Sequence, residues 1–263
     1  MATPQFGTFS LQDTNYVTEN VEYRTIPVRD LIMENIARKP GKKLLSTEFA
    51  ERRIRLAGWI LGTDSADLLT RIDNLHTNVT RKTSGTLTVD ANREIEAIVA
   101  SVTVAEPHYT QSAVPFELEF LAAEPFWKGP QQTVTLTVAS GTGEPHTQSF
   151  AITISGTVFA EPSIIYNAPT GTGWTTTSGI IIEYEPTGEK VTWSGSNAAN
   201  PTLAYGSLVN FNYQDYRVIE GAAETDHTGV MARWEPGETN VNITYSGQAQ
   251  GGQVGFIYRP RYL

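Results

Sequence analysis

The sequence predicts a mainly β protein in two parts: an N-terminal α+β domain with one principal helix over 1–128, and a C-terminal antiparallel β-sandwich over 129–263. Three observations carry this. Only one segment, 66–79, repeats its apolar residues at helical spacing. Elsewhere apolar and polar residues alternate in short runs bounded by Gly, Pro, Asn and Ser, the pattern of half-buried strands. The composition also changes near 124–130 (EPFWKGP), where two prolines and a glycine interrupt the strand pattern on both sides. Residues 1–128 hold 14 Lys+Arg and 17 Asp+Glu, net −3; residues 129–263 hold 5 and 11, net −6, and are crowded with Thr, Ser and Gly.

In the first part, 53–61 (RIRLAGWIL) alternates Ile54, Leu56 and Gly58 with Arg53, Arg55 and Ala57, a strand with one wet face. The helix follows, with Leu68, Leu69, Ile72, Leu75 and Val79 as its apolar face. Asp64 or Ser65 is placed to cap its free N–H groups, and Asp64 and Asp67 suit its positive end. A strand opens at Gly85 with Leu87 and Val89, another covers 95–104, and Phe116, Leu118 and Phe120 alternate with Glu117 and Glu119 in a third. Strands, one helix, then strands is an α+β order. The second part reads as short strands at 133–139, 150–154, 164–166, 180–184, 190–194 and 208–211. It ends on 241–245 and 254–258, which read as a terminal hairpin that ties the chain end into a sheet. Such spacing favours two packed sheets.

Bulk properties exclude several function classes. A net charge of −9 over 263 residues does not supply the concentrated basic surface that a grip on nucleic acid needs. Cys is absent, so disulfides and thiolate metal sites are unavailable. No apolar stretch approaches the ~18 residues of a membrane span, and the first residues carry no secretory pattern, so no membrane insertion and synthesis in a cytosol are expected.

The residues suggest little chemistry. His76, His108, His146 and His227 are widely spaced, and no zinc-protease, Walker, nucleophile-elbow or calcium-loop motif is present, so neither a catalytic nor a metal site is expected and no cofactor. Glu183 and Glu185 fall on one face of a strand, the residue types of a glycosidase pair but also of an ordinary solvated face. Trp174 and Trp193 are candidates for stacking on a sugar, against the alternative that each fills the sandwich core. The run 38–43 (RKPGKK) is a turn whose Arg38, Lys39, Lys42 and Lys43 form a candidate subunit-contact loop.

Taken in order, these segments resemble the distal tail proteins (Dit) of long-tailed bacteriophages. The similarity is carried by R-I-x-L-x-G at 53–58, by Leu68, Leu69, Ile72, Asp73 and Leu75 on the helix, by G-x-L-x-V-D at 85–90 and by Arg93. It continues through Phe116, Leu118 and Phe120 running into Pro125 and Phe126, and Phe6-Gly7 and the ending at Leu263 fit as well. The resemblance implies a non-enzymatic virion protein made in the host cytoplasm. Its N-terminal domains form a hexameric ring at the tail tip, with galectin-like sandwich domains outside. The ring joins the tail tube protein to the tail-associated hub protein and the adhesion apparatus, including receptor-binding proteins, and DNA passes through it. The galectin sugar-binding pattern, H-x-N-x-R followed by W-x-x-E, is absent. Two alternatives stand: a carbohydrate-binding adhesin, and a tail-tube subunit with an added outer domain.

Overall fold

The computed structural model describes residues 3–35, 42–80, 84–108, 112–138, 146–167, 179–193, 208–245 and 252–263. The chain is mainly β, with one α-helix among the described residues, and falls into two compact units, Met1–Gly129 with Leu263 and Pro130–Tyr262.

In the first unit the strands are β1 (Gln5–Phe6), β2 (Phe9–Ser10), β3 (Tyr16–Glu22), β4 (Arg29–Asn35), β5 (Lys42–Phe49) and β6 (Arg52–Leu61). After the helix come β7 (Gly85–Asp90), β8 (Arg93–Val104), β9 (Ala113–Ala122) and β10 (Trp127–Lys128). The main sheet runs β2-β1-β7-β8-β9-β6-β3, all antiparallel, with β10 beside the start of β8. The twelve-residue β8 is the corner. Its first half pairs with β7 (Thr86↔Glu96, Gly85↔Ala97), and its second half pairs with β9 (Ile98↔Leu121 to Val104↔Phe116), with a register shift between Val99 and Ser101. The sheet bends there: Phe6 on β1 meets Phe120 on β9 with ring centroids 5.2 Å apart, and the end strands meet where Phe9 on β2 lies 5.1 Å from Tyr16 on β3. Inside lie Leu87, Val89, Ile95, Ile54, Leu56, Ile60, Phe116 and Leu118, all buried.

The helix α1 (Ser65–Thr80) packs against β6 and β8. Asp64 caps it, accepting from the Asp67 N–H at 2.8 Å, and Asp67 reaches back to accept from the Thr63 N–H at 2.7 Å. That backbone bond, with the Arg71 guanidinium at 2.9 Å, holds the Asp67 carboxyl below its ordinary pKa. Leu68, Leu75 and Val79 are buried and Ile72 half-buried, but Leu69 is 53% exposed. Leu69 therefore falls off the packed face: the helix is a surface helix covering the sheet with a narrow stripe, and a residue one step past Leu68 is turned 100° away.

The second unit is a two-sheet antiparallel sandwich. Its strands are β11 (Gln132–Val138), β12 (His146–Ile154), β13 (Ser163–Asn167), β14 (Ile180–Tyr184), β15 (Glu189–Trp193), β16 (Leu208–Asn212), β17 (Arg217–Glu220), β18 (Ala223–Thr225), β19 (His227–Gly229), β20 (Gly237–Tyr245) and β21 (Gly252–Tyr258). One sheet is β11-β21-β13-β16-β17-β18 and the other β12-β20-β14-β15-β19. The expected terminal hairpin is not formed. β20 pairs with β12 and β14, whereas β21 pairs with β11 and β13 in the opposite sheet. Both strands are central, and each buries its inward residues (Val241, Ile243, Tyr245; Val254, Phe256, Tyr258) from its own side of one core. Trp234 fills the middle of it, with ring centroids 4.7 Å from Tyr184 on one sheet and 5.5 Å from Phe256 on the other.

The helix makes a test of this packing. Leu75→Ala leaves a cavity and is expected to lower unfolding stability by about 2–5 kcal/mol, whereas Leu69→Ala changes it by less than about 0.5 kcal/mol. Urea denaturation of the two variants distinguishes this arrangement from one in which Leu69 is core.

Candidate subunit-contact surface

Strands β4 and β5 stand apart from the main sheet. They pair only with each other among the described residues, in register from Arg29↔Phe49 to Asn35↔Lys42, with a shift between Ile32 and Met33. A two-stranded ribbon has two faces and no sheet partner to cover either. Here both faces are apolar: the consecutive Leu31, Ile32 and Met33 are 52%, 52% and 47% exposed, and Leu44 and Leu45 opposite are 52% and 51% exposed. Ile26 and Val28, leading into the ribbon, are more exposed still. Adjacent apolar residues on a strand point to opposite faces, so this is a ribbon wet on both sides.

The base of the ribbon is anchored. The Ala50 N–H donates to the Val28 carbonyl at 2.8 Å, the Arg29 guanidinium lies over the Phe49 ring at 4.9 Å, and Phe49 meets Phe126 edge to face at 5.4 Å. Just beyond it, Arg52 opens β6 and is buried. Its Nη1 donates to the Tyr23 carbonyl at 3.2 Å, an oxygen that also accepts from Trp127 Nε1 at 3.1 Å, and its guanidinium sits over the Trp127 ring at 5.5 Å. Arg52 Nε and Nη2 are buried without a hydrogen-bond partner among the described residues. Burial, and the neighbouring charge of Arg93, push the Arg52 guanidinium down to about 10.

Of the four cations proposed for the contact loop, Lys42 is exposed as the first residue of β5, and Lys43 follows it opposite Glu34 in the register. Arg38 and Lys39 lie outside the described residues. The apolar ribbon itself was not anticipated from sequence; the signal was the unbroken pairs and triplets of apolar residues in RDLIMEN and KKLLSTEF, which fit no amphipathic period. A second surface lies on the outer face of the main sheet. A cleft of about 350 Å3 is lined by Ala57, Trp59, Thr103 and Pro115, with Glu19 and Glu117 at it, and Trp59 is 38% exposed. Gly58 makes the close strand approach possible there, since a Cβ would collide with the Val17 carbonyl oxygen.

The sugar-stacking candidates fare differently from the loop. Trp193 is fully buried in the sandwich core between the sheets, so its ring offers no face to a sugar, and burial of a large ring is the reason. Trp174 lies outside the described residues. Glu183 is on β14 opposite Lys190, while Glu185 lies past the strand end in the turn that leads to β15, so the two do not share a strand face. No cluster of three or more His, Asp or Glu that would hold a metal is present among the described residues.

Replacing Arg52 by Met removes a buried charge whose remaining donors have no acceptor among the described residues. Arg52→Met is expected to melt at or above the temperature of the unaltered protein at pH 7. The folded-state pKa lies below the unfolded one, so the folded protein binds fewer protons and the penalty shrinks as pH rises above about 10. The advantage of the variant should shrink over the same range, as followed by thermal melts of both proteins.

Comparison with known proteins agrees with this architecture. Residues 5–122 match the family described as phage tail protein RIFT-related domain. Among solved structures, the crystal structure of the Dit protein of phage SPP1, described as a paradigm of the hub adsorption apparatus in phages infecting Gram-positive bacteria, superposes with a TM-score of 0.73 at 15% identity, covering 100% of both chains. The phage p2 baseplate in its calcium-activated conformation contains a chain matched at 10% identity over 99% of this chain and 98% of that one, with a TM-score of 0.44. No curated protein matches the chain. Residues 5–122 thus match the model of the phage tail protein RIFT-related domain, and the chain as a whole has the fold of the SPP1 Dit protein.

Proposed function

We propose that this chain is a structural protein of a phage tail tip, whose copies close into a hexameric ring through the N-terminal unit, the ring-forming domain of 1–128. The outer sandwich of 129–263 is carried on that ring. The observation that carries the proposal is the β4–β5 ribbon. Five large apolar side chains stand about half exposed on it, a state that a second copy relieves by covering them. A closed ring needs two different complementary patches on each subunit. The ribbon, whose two strands are joined in sequence through the basic run 38–43 with Arg38, Lys39, Lys42 and Lys43, is one; the face bearing Trp59 beside Glu19 and Glu117 has the apolar surface and the charge of the other.

The SPP1 relative is described as part of a hub adsorption apparatus. By that likeness the ring joins the tail tube protein to the tail-associated hub protein and to receptor-binding proteins, in a virion assembled in the host cytoplasm. An acidic chain around a channel repels DNA and lets it slide without a specific grip. The role is architectural and requires no catalysis.

Static light scattering of the full-length protein tests this. A mass six times that of the chain is expected at micromolar concentration, falling to the monomer mass in the triple variant Leu31→Ser, Ile32→Ser, Met33→Ser with its circular dichroism unchanged. A monomer mass for the unaltered protein across salt and concentration contradicts the ring. A variant that keeps the assembled mass removes the ribbon from the contact.

A further inference from the structure

The two sides of the C-terminal sandwich end in opposite ways. On one side the edge strands are β18 and β19, three residues each, with Glu224 in one and Asp226 between them. Short, charged edges offer little template for another chain. On the other side the edges are β11 and β12, seven and nine residues long. Their sequences, QTVTLTV and HTQSFAITI, contain no Asp, Glu, Lys, Arg or Pro, and no described strand lies on their outer sides.

Their side chains repeat the asymmetry. Val134, Leu136 and Phe150 point inward and pack on the core yet stay partly exposed, whereas inward residues one strand further in, Ile243 and Phe256, are fully buried. Among the described residues, this side combines long uncharged edges with inward apolar residues that stay partly exposed. The residues facing out from β12, namely Thr147, Ser149, Ala151 and Thr153, are exposed and uncharged.

We propose that the β11/β12 side is an acceptor for an extended segment of another protein, which adds to β12 as a further strand. The segment carries apolar residues at alternate positions, to lie against Phe150 and Leu136, and Ser- or Thr-like residues between them. Its charge is neutral or basic, because the surrounding unit has a net charge of −6. A second copy of the same edge fits less well. Two such acidic units repel, and a two-fold β12 pair centred on Phe150 sets His146 against Ile154 and Gln148 against Ile152 on the inward face. This site does not depend on the ring.

The test is hydrogen exchange of the full-length protein, read by mass spectrometry, with the synthetic peptide KTVTITVTK and with KTSTSTSTK, which has the same length and charge but no apolar residues. The first peptide should slow exchange across β12 at least about tenfold in a saturable manner, and the second should not. Phe150→Lys, an inward charge on the edge, should abolish the protection while leaving the melting temperature within a few degrees. If that variant fails to fold, the peptide pair still decides the matter. Equal protection by both peptides, or by neither, overturns the proposal. Protection of β12 that rises with protein concentration in the absence of peptide assigns the edge to a second copy and overturns it too.

Discussion

An antiparallel strand has side chains on two faces, and the water-averse ones must be covered; most of this chain is arranged by where each strand finds its cover. In the C-terminal unit two sheets cover one another around Trp234. In the N-terminal unit the sheet bends at β8 until Phe6 and Phe120 touch, and α1 closes part of what is left. The β4–β5 ribbon is the exception. Among the described residues no second layer covers it, and its apolar residues are about half exposed.

That exception is held in place by a well-made base. Tyr23, Arg52 and Trp127 come from three separated stretches of chain and converge on one carbonyl oxygen, and Phe49 and Phe126 pack edge to face beside them. The buried guanidinium is a cost to the isolated fold, since two of its donors have no acceptor among the described residues. A ribbon rigid at its root and apolar along its stem is suited to reach out and be covered by something else. An assembly supplies such a cover more naturally than any rearrangement within the unit.

Much of this was legible in the sequence wherever periodicity was clean. The strand of Ile54, Leu56 and Ile60, the helix with Leu68 and Leu75, and the strand of Phe116, Leu118 and Phe120 each have one wet and one dry face, and each forms where its pattern placed it. The ribbon was not legible because a segment apolar on both faces has no period of two; only the clustered cations of 38–43 drew notice. Leu69 was misplaced because helical spacing identifies a stripe but not its width. β20 and β21 were recognised as strands, yet pairing is a property of the whole sheet, and a turn-rich link between two strands does not reveal that they enter opposite layers. Trp193 shows the same limit: its residue type suits both a sugar platform and a core, and only its burial at the end of β15 assigns it to the core.

The central claim is that copies of this chain cover one another's ribbons in a closed ring. Electron microscopy of the purified full-length protein in negative stain tests it most directly. The account predicts six-fold rings with a central hole and the sandwich units at the rim. A field of single particles with no ring at any concentration, or open filaments in place of closed rings, would contradict it.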